Sequence, residues 1–146
     1  MTRIKQSNSL AINYSIEQLP GLSKEQQILL KDCGIQTTQQ LLKLTSTEQL
    51  KQQLANKLQI KIQYLNKWIA MADLASLPSV GDQYCGLLLH AGIASVSQLA
   101  LTSVGRLHQQ ILRLQVATMQ RRDLCPTVEK VQQWIQQAQV FSRQSK

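Results

Sequence analysis

The sequence predicts an all-α fold made of two tandem copies of one helical unit packed into a single compact domain. Three observations lead there. Residues 19–41 and 77–99 repeat each other: Leu19-Pro20-x-Leu22 answers Leu77-Pro78-x-Val80, Leu29-Leu30 answers Leu87-Leu88, Gly34-Ile35 answers Gly92-Ile93, and Gln40-Leu41 answers Gln98-Leu99. Apolar residues recur at helical spacing, and no segment alternates with period two over the length of a strand. The 24 glutamines interrupt leucine at that same spacing, which reads as solvated helix faces rather than a low-complexity tract.

Residues 1–13 are polar and aperiodic and read as a flexible N-terminal lead. Ser23 with Gln26 is a capping-box pattern opening a helix through Ile28, Leu29 and Cys33, and Gly34 is its expected left-handed stop. Thr37-x-x-Gln40 opens a short helix, and Ser46-x-x-Gln49 opens another whose Leu50, Leu54 and Leu58 share one face. Ile62, Leu65, Ile69 and Ala72 mark a fourth, carrying Trp68. In the second copy a helix from about Asp82 stops at Gly92, Ser95-x-x-Gln98 caps a short one, and Leu107, Ile111 and Leu114 form the next stripe. About nine extra residues, around Val116 to Leu124, precede a last helix that Pro126 is expected to open. Val128, Val131, Trp134-Ile135 and Ala138 answer the helix of Trp68. The resulting organisation is a single domain over residues 14–141, with repeat 1 at about 14–73, repeat 2 at about 74–141 and a tail at 142–146. One repeat alone could hardly bury its stripes; two packed together can.

The formal charge is +8, with 16 basic against 8 acidic residues, and the excess is spread over both halves. Such a balance suits an acidic partner, whether nucleic acid, an anionic membrane surface or an acidic protein, although it also serves solubility alone. Cys33, Cys85 and Cys125 are odd in number and far apart, matching neither a disulfide framework nor a metal motif, so a reducing compartment is expected. No secretory signal and no apolar stretch of membrane-spanning length is read, which predicts a soluble cytoplasmic protein without integral membrane association. His90 and His108 lack a second ligand at helical spacing, the eight carboxylates are dispersed, and no nucleophile elbow, phosphate-binding glycine loop or dinucleotide fingerprint occurs. No enzyme activity, no metal and no cofactor is therefore expected. Trp68 and Trp134, at equivalent positions, read as duplicated core anchors.

Each copy, with its helix, its tight turn around one apolar residue and its second helix ending in Gly-Ile, resembles the helix-hairpin-helix motif of SAM-like domains. The turns here are Gly21-Leu22-Ser23 and Ser79-Val80-Gly81, each keeping one of the motif's two glycines. The resemblance implies backbone N–H groups at the turn and the following helix start that can hold a nucleic-acid phosphate without reading sequence. Lys24 is the cation within the turns, whereas Glu25 and Asp82 compete for the same helix ends. Over Ser15 to Val140 the chain resembles the DUF4332 family of small bacterial proteins, through the hairpin, the Gly-Ile stop and the late Arg121-Arg122, Pro126, Val131, Trp134-Ile135 and Ala138. That resemblance implies a paired helix-hairpin-helix fold, with DNA binding by analogy.

Two functions follow as expectations. One is a non-catalytic module gripping a nucleic-acid backbone through Gly21, Leu22, Ser23, Lys24, Ser79, Val80 and Gly81, with Arg106, Arg113, Arg121 and Arg122 adding charge. The other is a protein–protein adaptor or assembly factor. Lys57 with Lys61, one turn apart, and Arg106 with Arg113, two turns apart, are each expected to line one face.

Overall fold

A computed structural model describes residues 12–118 and 126–144. Among these residues there are eight α-helices and no strand: α1 (Lys24–Asp32), α2 (Thr38–Leu44), α3 (Glu48–Leu58), α4 (Ile62–Ala75), α5 (Gly81–His90), α6 (Val96–Ala100), α7 (Val104–Thr118) and α8 (Val128–Gln144). A single 3-10 turn, Ile16–Gln18, precedes them. The all-α reading of the sequence thus holds among the described residues.

Helix ends are set locally, where the sequence signals lie. Gln26 N–H donates to Ser23 Oγ at 3.1 Å and Ser23 N–H to Gln26 Oε1 at 2.9 Å, a closed capping box at the start of α1. Thr37 and Gln40 repeat that exchange at α2. At α6, Gln98 N–H donates to Ser95 Oγ, while Gln98 Oε1 accepts from Ala94 instead. Gly34 at φ +84° and Gly92 at φ +98° end α1 and α5 in the left-handed conformation. In both, the following isoleucine donates back, Ile35 to Leu30 O and Ile93 to Leu88 O, each at 2.9 Å. That bond closes the helix and drops an apolar residue into the core in one step.

Three boundaries differ from the sequence reading. The cap of α3 is Thr47, whose Oγ1 accepts from Leu50, so the side-chain acceptor sits one residue beyond Ser46. Pro126 does not begin α8; it is buried ahead of Thr127, whose Oγ1 accepts from Lys130 N–H. In the lead, Ile12 N–H donates to Ser76 O and Asn13 Oδ1 accepts from Gln39 N–H, so both residues are tied to the folded body.

The helices pack in two similar sets. α2 and α3 lie on α4, and α6 and α7 lie on α8, the pair of α6 with α8 being the most extensive contact. The halves meet where α4 packs on α5. One continuous apolar cluster results, reaching from Ile16 and Leu30 through Leu65, Trp68 and Leu77 to Leu88, Leu107, Ile111 and Trp134. Trp68 and Trp134 are both buried, as core anchors should be. Truncating a side chain of that size in a packed core typically costs about 3–5 kcal/mol.

The copies differ at their beginnings. Ahead of the second turn stands the long helix α4, whose Asp73 Oδ2 accepts the N–H of Val96 at the start of α6, at 2.8 Å. Ahead of the first turn the chain is extended instead: Thr38 N–H donates to Tyr14 O and Ile16 N–H to Gln36 O, each at 2.8 Å. A short stretch of backbone thus caps α2 where a helix end caps α6.

Candidate functional site

The first turn is open on its outer side. Gly21 takes φ +85°, and Gly21, Ser23 and Lys24 are exposed, while Leu22 is buried. Beneath it, the Pro20 ring lies 3.6 Å from where a Cβ on Gly86 would stand, so the turn rests on α5. The third amide of α1 is taken by Ser23 Oγ, and exposed Glu25 occupies the first helical turn. Glu17 pairs with Lys31 beside this turn, and that cation holds the Glu17 carboxyl below its usual range.

The second turn is closed by the rest of the chain. Ser79 donates from both its N–H and its hydroxyl to Gln137 Oε1, at 2.9 and 2.7 Å, and its carbonyl accepts from Trp134 Nε1 at 3.0 Å. The amides of Val80 and Gly81 both donate to Leu77 O. The Tyr14 hydroxyl covers the start of α5. Burial and the Asp82 carboxylate push its pKa up, and the Asp82 amide pulls it partly back. Val80 and Gly81 are buried. The two turns, alike in sequence, therefore do different things: one presents an exposed edge, and the other is a packing corner clamped by α8 and Tyr14.

Among the basic residues, Arg106 and Arg113 are exposed on α7, seven residues apart and so on one face of that helix. Arg106 borders a polar groove with Gly92, Gln98, Thr102 and Gln110. Lys57 and Lys61 do not share a helix. Gln59 adopts φ +56° and ends α3, and Lys61 is already the N-cap of α4. Arg121, Arg122 and Cys125 lie outside the described residues. Two ion pairs occur among the described residues, Lys31 with Glu17 and Lys51 with Glu48. Lys24, Lys43, Lys57, Lys61, Lys67, Arg106 and Arg113 are exposed and take part in neither. Lys130 instead sits over the Tyr84 ring, 5.6 Å from its centre.

Of the cysteines, Cys85 is buried and its thiol is pushed up to about 11 by desolvation. Cys33 is half-buried at the C-cap of α1 and borders a groove with Leu44, Leu50, Gln53 and Lys57. No group of three or more His, Cys, Asp or Glu residues able to hold a metal occurs among the described residues. No helix of the described residues is long and apolar enough to cross a membrane.

Several residues of this surface escaped the sequence reading. Tyr14, Gln137 and the indole N–H of Trp134 close the second turn through contacts spanning 55 residues or more, which local patterns do not encode. Lys67 and the exposed Tyr64 carried one usable signal: no Asp or Glu occurs between Glu48 and Asp73, although four lysines do.

Comparison with curated proteins and with solved structures finds no match. Residues 20–141 match the family model described as a domain of unknown function, DUF4332, so the chain belongs to that family.

Proposed function

We propose that this DUF4332 domain is a non-catalytic binding module that grips a nucleic-acid backbone without reading its sequence. The observation that carries the reading is the set of seven exposed cations, Lys24, Lys43, Lys57, Lys61, Lys67, Arg106 and Arg113, left outside the two ion pairs. In a chain of net charge +8, such cations gain most from a polyanion, because each phosphate they neutralise releases a condensed counterion. A tandem helix-hairpin-helix arrangement supplies the frame, with Gly21 and Lys24 exposed at the first turn to meet phosphate, beside Ser23 whose N–H and Oγ are engaged by Gln26. The free thiols of Cys33 and Cys85 suit a reducing, cytoplasmic setting. The non-catalytic character is supported by carboxylates dispersed over different elements.

The test is fluorescence anisotropy of the full chain against labelled single-stranded and duplex oligonucleotides of mixed sequence, in dilute buffer and with added salt. Binding that loses one or more orders of magnitude between about 50 and about 200 mM salt supports the reading. Absence of binding to either form in dilute buffer overturns it.

A second reading, a protein adaptor, is favoured by one observation. Leu44 and Leu101 occupy matching repeat positions and are 43% and 88% exposed. Each borders a groove whose other walls also correspond, Cys33 with Ala91 and Gln53 with Gln110. Affinity capture after nuclease treatment that returns one stoichiometric protein, lost in Leu44→Ser/Leu101→Ser, supports this reading; only nuclease-sensitive companions count against it.

A further inference from the structure

We infer that the corner joining α3 to α4 is a contact surface for single-stranded nucleic acid, with Tyr64 stacking on a base and Lys57, Lys61 and Lys67 holding the flanking phosphates; this rests on the nucleic-acid reading above. Residues 49–72 hold four lysines and no carboxylate. Lys51 is held by Glu48, and the other three are exposed. Lys57 also borders the groove lined by Cys33 and takes part in neither ion pair of the described residues.

Tyr64 stands apart from the other tyrosines. Tyr84 is packed against Trp134 with ring centres 4.9 Å apart, and Tyr14 lies against the start of α5. Tyr64 is 51% exposed in the first turn of α4. A large ring held in water between cations is the arrangement that single-strand binders use, since a ring offers a stacking face to any base and lysines track the backbone. Lys61, Tyr64 and Lys67 recur every three residues along the helix, covering about 9 Å of its axis. The left-handed Gln59 turns the chain between the two helices, and Lys57 lies in the last turn of α3, just ahead of that turn. Asn56, Gln63 and Asn66, all exposed, complete the corner without opposing charge. On the inner side, Leu65 and Trp68 are buried and fix α4 against the core, so the ring and the lysines project from a rigid support.

The geometry selects single strands over duplex. Base faces are covered within a duplex, whereas an unpaired base can turn its face onto Tyr64. With three phosphates engaged, log K falls against log salt with a slope of about −2, or about 20-fold between 50 and 200 mM.

The experiment titrates the full chain against a labelled single-stranded thymidine oligomer and a mixed-sequence duplex in dilute buffer. The single strand is expected to bind more tightly. Tyr64→Ala is expected to weaken it roughly tenfold, the scale of one base stacked on one ring, with the duplex and the melting temperature little changed. Tyr64→Phe, which keeps the ring, should restore binding. Lys57→Gln/Lys61→Gln/Lys67→Gln should remove about two units of salt slope. Equal single-strand affinity in Tyr64→Ala and the parent chain, or binding confined to duplex, overturns this site while leaving the broader reading standing. No binding to either oligonucleotide overturns both.

Discussion

Replacing Gly81 by alanine probes how the second turn is held, because two separable costs meet at that residue. Gly81 opens α5 at φ +58°, and a Cβ built there lies 2.9 Å from the Tyr14 hydroxyl oxygen. The left-handed backbone costs an L-residue roughly 1–2 kcal/mol. Driving the Tyr14 hydroxyl away from the helix start adds about 1 kcal/mol, the net worth of a typical polar contact. The sum, roughly 2–3 kcal/mol, corresponds to a fall in melting temperature of about 5–10 °C for a chain of this size. Gly92→Ala is the control: its φ is +98°, but nothing lies within 4 Å of the added Cβ, so only the backbone cost applies, about 3–6 °C. Urea unfolding of Gly81→Ala, Tyr14→Phe and the double variant then isolates the contact. Phenylalanine lacks the oxygen that the new Cβ meets, so the double variant should be less destabilised than the sum of the singles by about 1 kcal/mol. Additivity to within about 0.5 kcal/mol, or a loss in Gly81→Ala no greater than in Gly92→Ala, refutes the account of Tyr14 as a clamp on this turn.

Three further outcomes are expected. Burial raises the pKa of Asp73 and its bond to the Val96 amide offsets this in part, so the stability contributed by protonated Asp73 is full below the unfolded-state pKa and is lost as pH rises through the folded one. Asp73→Asn keeps an acceptor for Val96 and should flatten the urea midpoint across that window, whereas Asp73→Ala should cost about 1 kcal/mol at neutral pH; an unchanged pH profile in Asp73→Asn contradicts the assignment. Cys85, buried and with its thiol at about 11, should resist alkylation at neutral pH until the chain unfolds, while half-buried Cys33 labels in the folded state; site-resolved mass spectrometry reads both. Gln115 is buried with Oε1 unpaired, at the repeat position where the first copy has buried Leu58, so Gln115→Leu should raise stability by roughly 1–2 kcal/mol in thermal unfolding, and a loss would show that the amide has a partner worth keeping.

What was legible in the sequence is what short stretches decide. Ser23 with Gln26, Thr37 with Gln40 and the Gly-Ile stops each close within six residues, so the signal and the bond it predicts lie side by side. The leucine stripes gave the buried faces for the same reason. Hidden from that reading was whatever closes over distance. Ser79 looks in sequence like Gly21-Leu22-Ser23 in reverse, yet its donors are spent on Gln137. Lys57 and Lys61 look like one helical turn, yet Gln59, a residue with no marked preference for positive φ, separates them onto two helices. Tyr64 has the composition of a core residue and the position of a surface one, because it falls on the outward face of α4 beside Leu65, which takes the inward one.

The divergence of the two turns constrains how the module can bind. A pair of equivalent hairpins could clamp both strands of a duplex with backbone donors at fixed spacing, but that requires both sets of amides to be free. Here the second set is engaged by Leu77, Gln137 and the Tyr14 hydroxyl, and releasing it means breaking bonds that tie α8 to the turn. Each buried donor left without a partner costs about 1–3 kcal/mol, so a phosphate would have to outbid several at once. On the proposed nucleic-acid reading, affinity for the backbone would therefore have to come from side-chain charge on the helices rather than from symmetric amide nests. Such binding is dominated by counterion release, and nearly all of it should disappear at high salt. A residual affinity that survives high salt would have to come from a contact of another kind, and on this surface the exposed ring of Tyr64 is the group able to supply one.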